Sequence, residues 1–277
     1  MGATINDVHF YRLPLKPIQV SPSVNQLRRK VAGTEITSVD RIGKRILLEL
    51  DQRLVLIFEP RMTGMLTVEN VPDQGHLRVR IDLAGGDLDQ IYFWDRRGLG
   101  TVELLRSDQL AVRLGPDRVG PDALAIESDQ LRERLRRSRR AIKVALLDQK
   151  VVAGIGNIYA SEILYLAHVH PAARCDRLSR AQWHEIHLAM GQVLREAIKH
   201  EGSTLSDGSY RNALNNPGNY QAYHQVYDRA GEACGRCPQE QVVRIVQAQR
   251  STFFCPGCQL RRTWKEPVDL QAGRPGR

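Results

Sequence analysis

Four of the five cysteines fall late in the chain as Cys234-x2-Cys237 and Cys255-x2-Cys258, with 17 residues between the pairs. Each pair suits a tight knuckle that aims two sulfurs at one point. The spacer suits a β-hairpin that brings the two knuckles together. Four thiolates arranged in this way complete a closed tetrahedral zinc site. Two disulfides are the alternative, but nothing in the sequence points to an oxidising compartment. With no coordination position left open, one zinc ion is expected to fold the hairpin rather than take part in a reaction. Cys175 stands alone and reads as a buried, inert thiol.

Charge is the second chemical signal. Between Arg132 and Lys150 there are eight basic residues (Arg132, Arg134, Arg136, Arg137, Arg139, Arg140, Lys143, Lys150) against Glu133 and Asp148. The cysteine segment adds Arg229, Arg236, Arg244, Arg250, Arg261 and Arg262. A single charge run would be read as a solvated face. Two basic elements around a zinc hairpin point instead to a phosphate-bearing partner. The net charge of +9 and the pI of 9.6 agree with a polyanionic partner. At 277 residues, 42% hydrophobic and 26% charged, the chain is long enough for two domains and excludes a disordered, collagen-like or disulfide-dense protein. No apolar run approaches the roughly 18 residues of a membrane span. Met1-Gly2-Ala3-Thr4-Ile5-Asn6-Asp7 has neither a basic head nor an apolar stretch, so no secretory signal is expected.

These groups need elements to hold them. Residues 1 to about 115 read as β-structure. Arg45–Leu50 and Leu54–Phe58 are apolar runs separated by the hairpin signal Asp51-Gln52-Arg53, and His76–Leu83 alternates polar with apolar. Gln90–Trp94 and Thr101–Leu105 supply further strands, with Asp95-Arg96-Arg97-Gly98-Leu99-Gly100 as the turn between them. Strands at this spacing imply a sandwich or barrel. Leu114-Gly115-Pro116 and Gly120-Pro121 break the pattern, and the texture turns helical. Ser128 is expected to cap a helix running to about Leu147. Ser179 and Gln182 form a capping box for a helix that stops at Gly202. That helix carries Trp183, Ile186, Met190, Val193, Leu194 and Ala197 as a core stripe. A Gly-rich segment, 149–160, lies between these helices and leads into a helical stretch to about Ala167. Residues 203–225 are expected to form a long mobile loop, and the tail after Trp264 to be frayed.

Leu147-Asp148-Gln149-Lys150-Val151-Val152-Ala153-Gly154-Ile155-Gly156-Asn157-Ile158-Tyr159-Ala160-Ser161-Glu162 resembles the helix–two-turns–helix signature of the formamidopyrimidine-DNA glycosylase and endonuclease VIII family. Gln247-Ala248-Gln249-Arg250-Ser251-Thr252-Phe253-Phe254-Cys255 resembles its zinc-finger hairpin. The likeness runs from about Gly2 to Leu260 and is nearest the formamidopyrimidine branch. It implies an α+β multidomain fold. An N-terminal β-sandwich would span 1–115, and a helix–two-turns–helix domain with a lesion-recognition loop 116–225. A four-cysteine zinc finger at 226–262 and a tail at 263–277 would follow. It also implies a base-excision repair enzyme that flips an oxidised purine, such as 8-oxoguanine or a formamidopyrimidine, out of duplex DNA. The base is removed by an amine nucleophile through a Schiff base, and the strand is then cut by β,δ-elimination. The implied partner is double-stranded DNA containing an oxidised base or an abasic site. The implied setting is a cytoplasmic, nucleoid-associated monomer that binds no membrane.

Residue by residue, Asn157 matches the asparagine that grips a backbone phosphate, and Lys143 a second phosphate-contacting position. Lys44 matches a lysine at the mouth of the active site with a proton-transfer role, and Arg250 the finger arginine assigned to elimination. Met62 matches the apolar wedge that fills the gap left by the flipped base. Arg97 matches the arginine facing the orphaned base, and His76 a further DNA contact. Cys234, Cys237, Cys255 and Cys258 match the zinc ligands.

Three departures stand out. Leu99 takes the place of an inserting aromatic, and Glu59-Pro60-Arg61 replaces a histidine-containing approach to Met62. The family also opens with Pro-Glu-Leu-Pro-Glu, whose proline is the nucleophile and whose glutamate is the acid–base group. Met1-Gly2-Ala3-Thr4-Ile5 matches the family's first strand some twenty residues further in. The expectation is an upstream in-frame segment carrying that proline and glutamate. The alternative is a protein that recognises damaged DNA without catalysis.

Overall fold

The computed structural model describes residues 2–206, 208 and 210–260. Arg261, Arg262 and the tail expected to fray lie outside the described residues. The N-terminal part is a two-sheet sandwich. One sheet has four strands in the order β1 (Thr4–Phe10), β7 (Leu77–Ala84), β8 (Gln90–Asp95), β6 (Gly64–Thr67). The other has five, in the order β2 (Gln19–Ser21), β9 (Thr101–Arg106), β5 (Leu54–Glu59), β4 (Arg45–Leu50), β3 (Ile36–Ile42).

The continuous apolar run of β5 has a direct cause. Leu56 and Phe58 face the core between the sheets, while Val55 and Ile57 face Leu114, Val119 and Ala153 on the other side. A strand buried on both faces has no polar alternation to show. The expected hairpin from β4 to β5 is present, and Gln52 and Arg53 take positive φ values of 55° and 58° in its turn. The turn Arg96–Gly100 does more than join two strands. β8 and β9 belong to different sheets, so this turn carries the chain across the sandwich edge.

Two helices interrupt the region read as β-structure. They are α1 (Val24–Val31), which buries only Leu27 and Val31, and α2 (Ser107–Leu114), which buries only Leu114. The signal for α1 is present in the sequence, with Val24, Leu27 and Val31 at helical spacing behind a Ser23–Gln26 capping box, whereas α2 buries too little to stand out.

The helical part is built on one core, in which Trp183, Ile186, Met190, Val193, Leu194 and Ala197 of α6 (Arg180–Lys199) are all buried. Ser179 caps α6 as expected, accepting from the Gln182 amide while the Gln182 side chain returns to the Ser179 amide. The single helix expected from Ser128 to Leu147 is instead two, α3 (Ser128–Leu135) and α4 (Ile142–Leu146). Ser128 is the first helical residue, preceded by Glu127 as N-cap, and makes no cap. The break has a tertiary cause. Ala141 bridges to Arg174, and the amides of Ile142 and Lys143 donate to the carbonyls of Ala173 and Pro171. Those contacts tie the chain to a neighbouring segment before a straight helix can pass. Cys175 is fully buried in this core, and burial pushes its thiol up to about 11, as an inert thiol requires.

The segment 203–225 is anchored at both ends. Ser203 is buried and bridges to Asn219, and Tyr220 packs against Tyr159 and Tyr223. The last element is the hairpin β10 (Val243–Gln247) and β11 (Arg250–Phe254), which lies against α5 (Asn157–Leu166). Its two-residue turn places Ala248 and Gln249 at φ 45° and 61°, each costing about 1 kcal/mol relative to glycine.

Glu162 locks α5 to the chain that enters the hairpin region. It is 2% exposed, and its two oxygens accept from the amides of Gln225, Val226 and Tyr227 at 2.9, 3.1 and 2.8 Å. Burial raises its pKa while these three donors oppose the rise. Glu162→Gln sets an NH2 group against one of the three amides. The expected loss is about 2 kcal/mol, read as a melting temperature lower by roughly 5 °C. An unchanged melting temperature would show that these bonds add nothing.

Candidate nucleic-acid interface

Three parts of the chain meet at one cleft. The first is the turn before α5. Gln149 shapes it, donating to the carbonyls of Leu147 and Ile155 and accepting from the Gly154 amide. Gly154 sits at φ +107°, where a side chain would be strained. The turn delivers Asn157, half-buried at the head of α5, and its Nδ2 donates to the Ser251 carbonyl of β11 at 3.0 Å.

Behind Asn157 lies Lys143, only 1% exposed. Its ammonium donates to Asn157 Oδ1 at 2.7 Å, to the Ser251 carbonyl at 2.9 Å and to Thr252 Oγ1 at 2.8 Å. All three protons are therefore used inside the protein. Burial, with Arg250 adding to it, lowers its pKa to about 8. In this structure Lys143 thus ties Asn157 to the hairpin strand.

Lys44 approaches from the β-sandwich, at the turn between β3 and β4. A Cβ placed on Gly156 would lie 3.6 Å from its Nζ, so the amine rests against the Gly-rich turn. The residue keeps accessible surface, yet its amine end is crowded by the facing domain. Desolvation is the largest influence and the Arg250 charge the next. Glu59 opposes both, and the pKa settles at about 8. Glu59 is itself bound by Arg45 at 3.0 Å and Arg61 at 3.1 Å. Arg250 is exposed at the start of β11, and its charge reaches both lysines. The Arg250 charge thus acts on both Lys44 and Lys143, while Glu59 is shared with Arg45 and Arg61, and the cationic excess attracts phosphate.

A second group stands at the sandwich edge. Met62 is 70% exposed, and its sulfur lies 3.6 Å from an Arg97 Nη1 donor. The fully buried Asp95 braces the Arg97 backbone and Thr63, the neighbour of Met62. Its carboxylate accepts from Thr63 Oγ1 at 2.8 Å, the Arg97 amide at 3.1 Å and the Gly100 amide at 2.7 Å. Leu99 is half-buried in the same turn. His76 is fixed by Asp73 at 2.8 Å and packs edge-on against Trp94.

Beneath the hairpin, the sulfurs of Cys234, Cys237, Cys255 and Cys258 all lie within 4.8 Å of one another, and these four residues could hold a metal ion. Tetrahedral zinc with Zn–S bonds of about 2.3 Å sets sulfurs about 3.8 Å apart, so the set fits. Backbone amides of Arg236 and Cys258 point at the sulfurs of Cys234 and Cys255, as thiolates require. Tyr165 of α5 reaches Cys234 Sγ at 3.4 Å and carries the Arg236 guanidinium over its ring.

The sequence pattern of the formamidopyrimidine-DNA glycosylase N-terminal domain matches residues 1–102, and that of the formamidopyrimidine-DNA glycosylase H2TH domain matches residues 114–209. The chain belongs to the formamidopyrimidine-DNA glycosylase family. A formamidopyrimidine-DNA glycosylase of Chloroflexus aurantiacus is 41% identical over 256 residues, covering 91% of this chain and 88% of the relative. One from Lactococcus lactis subsp. cremoris is 36% identical over 250 residues, covering 88% and 89%. Among solved structures, the complex of Lactococcus lactis Fpg with DNA containing an abasic site superposes with a TM-score of 0.82. It shares 32% identity and covers 94% of this chain and 93% of that one. A mutant of the same enzyme with Fapy-dG-containing DNA also gives 0.82 at 32% identity, covering 94% of each chain. No helix among the described residues is long and apolar enough to cross a membrane.

Within this family frame, the sequence reading named Lys44, Asn157, Arg250, Met62 and Arg97, and the fold gathers them into two neighbourhoods. It missed Asp95, Thr63 and Glu162, which touch the named residues or brace them, and it noted Glu59 only as a departure from the family pattern. Asp95 opens the quoted Asp-Arg-Arg turn, and a carboxylate leading a turn is a known signal for capturing backbone amides. Glu162 ends the quoted helix–two-turns–helix segment and carries no local sign of its distant partners.

Proposed function

We propose that the protein is a DNA glycosylase and abasic-site lyase of base-excision repair. In this reading it removes oxidised purines such as 8-oxoguanine and formamidopyrimidines from duplex DNA and nicks the strand by β,δ-elimination. The convergence of Lys44, Asn157 and Arg250 from three separate elements, in a chain of this family, carries the reading. Relatives crystallised with abasic-site and Fapy-dG DNA support the same partner.

Asn157 and the hairpin backbone hold the lesion-side phosphate, with Lys143 bracing them. Met62 enters the stack as the base leaves, Arg97 faces the orphaned base and His76 adds a contact outside the lesion. Lys44, about half neutral near pH 8, moves protons in the cleft. Arg250 stabilises the phosphate expelled during elimination. Zinc on the four cysteines supplies folding energy to the hairpin and no step of the reaction. The division at about 115 and 225, the monomeric state and a nucleoid-associated cytoplasmic setting belong to the same reading.

The test is a labelled duplex carrying one 8-oxoguanine and a second carrying an abasic site, each incubated with the protein with and without borohydride. The expected result is a nick at the lesion and a covalent adduct trapped through an amine, Lys44 being the one that this chain brings to the cleft in a partly neutral form near pH 8. A clear gel shift with neither nick nor adduct would leave a damage-binding protein and end the catalytic reading.

A further inference from the structure

A cleft of about 630 Å³ opens between the segment joining β1 to β2 and the start of α1. It shares no residue with the interface described above. Its walls are apolar, formed by Phe10, Leu13, Leu15, Ile18 and Val20. Its charged lining is of one sign. Arg12 and Arg78 contribute to it, and no aspartate or glutamate does.

Arg78 is the unusual member. It is 3% exposed, and its Nε donates to the Asp95 carbonyl at 2.8 Å. Its Nη2 is buried with no acceptor among the described residues. A guanidinium this deep ordinarily meets a carboxylate or spends all its donors. Here the unused donor belongs to a side chain that lines a cavity. A second, independent feature lies at the same cleft. Ser23, Val24 and Asn25, the cap and first residues of α1, also line it, and the first turn of α1 contains no acidic side chain. The Ser23 hydroxyl is turned to Gln26 Oε1. The positive end of a helix and a buried guanidinium therefore border one apolar chamber.

We propose that this cleft is a binding site for a small anion carried on a flat apolar body, a carboxylate or phosphate on an aromatic ring system. The anionic head pairs with Arg78 and the start of α1, and the ring lies along Phe10, Ile18 and Val20. The volume is in the range of clefts that bury small ligands. The cleft also backs onto the turn that carries Arg97, since a Cβ on Gly98 would lie 2.1 Å from the Lys16 carbonyl.

The test uses 2-naphthoate, the neutral 2-naphthamide and inorganic phosphate, titrated calorimetrically into the whole protein. Naphthoate is expected to bind with a Kd below about 1 mM. The amide, lacking charge-assisted hydrogen bonds, and phosphate, lacking the ring, are each expected to bind at least about tenfold more weakly. Arg78→Gln is expected to abolish the preference for naphthoate over the amide. Leu15→Trp fills the mouth from an exposed loop position without touching the core, so it serves if the arginine variant does not fold. It is expected to weaken naphthoate at least about tenfold. Equal affinity for naphthoate and naphthamide, unchanged binding by Leu15→Trp, or no binding of naphthoate at several millimolar would each overturn the proposal.

Discussion

Replacing Cys255 with alanine, or stripping the protein with a strong chelator, will abolish lesion nicking while leaving the helical core and the β-sandwich folded. The local core of the cysteine region is small: Tyr165, Val226, Cys234, Val242, Phe253 and Cys255. So few side chains do not hold a two-stranded hairpin by themselves. Four thiolates converging within 4.8 Å supply the missing constraint once a metal bridges them.

The consequences reach beyond the finger. Ser251 and Thr252 of β11 supply two of the three acceptors for the buried Lys143 ammonium. If β11 detaches, Lys143 is left with Asn157 alone, and the phosphate grip loosens with it. Apparent free energies of structural zinc binding near 10 kcal/mol make a loss of at least about 100-fold in nicking the modest expectation. Helical circular dichroism is expected to persist, and elemental analysis of the untreated protein to give one zinc per chain. Full nicking activity after complete metal removal would separate the cysteines from function.

Lys44→Gln is expected to slow nicking at an oxidised base by about 100-fold or more, the usual range for losing a positioned proton carrier. The pH profile distinguishes this from a mere packing defect. Lys44 has its pKa lowered from 10.5 to about 8, first by desolvation, then by Arg250, with Glu59 pulling it back up. Below pH 8 the amine is charged and cannot accept a proton, so the rate should climb through that pH and then level off. Removing Arg250 takes away a cation that lowers the pKa, so the limb should move to higher pH. Removing Glu59 should move it to lower pH. Protonation of Lys44 also bears on stability. A lysine whose folded pKa lies below its unfolded value carries its charge at a cost in the folded state below pH 8, and that cost is relieved as the folded state sheds its proton, so stability is expected to rise between pH 8 and 10.5. A wild-type profile in the Arg250→Gln variant would contradict the coupling, whatever its absolute rate.

Much of the architecture was legible because its determinants are local. The Cys-x2-Cys spacings carry their own geometry, and a pair of knuckles 17 residues apart needs only a hairpin to meet. Ser179 and Gln182 cap α6 through bonds three residues apart, and the stripe from Trp183 to Ala197 lies on one helical face. Asn157 and Arg250 were named because they sit in long segments whose residue order resembles a family.

What the sequence left undecided depends on partners far along the chain. Lys143 looked like one more cation in a basic run. Only the fold shows it enclosed, because its acceptors come from 14, 108 and 109 residues away. The break between α3 and α4 follows from strand-like contacts with residues 171–174, which helix periodicity cannot contain. Asp95 and Glu162 read as ordinary carboxylates until the amides they collect are in place. By itself the sequence determined which groups are present and which local turns and helices carry them. The tertiary structure decided which of them are dry, paired or charged, because desolvation and hydrogen bonding are set by neighbours in space and not in sequence.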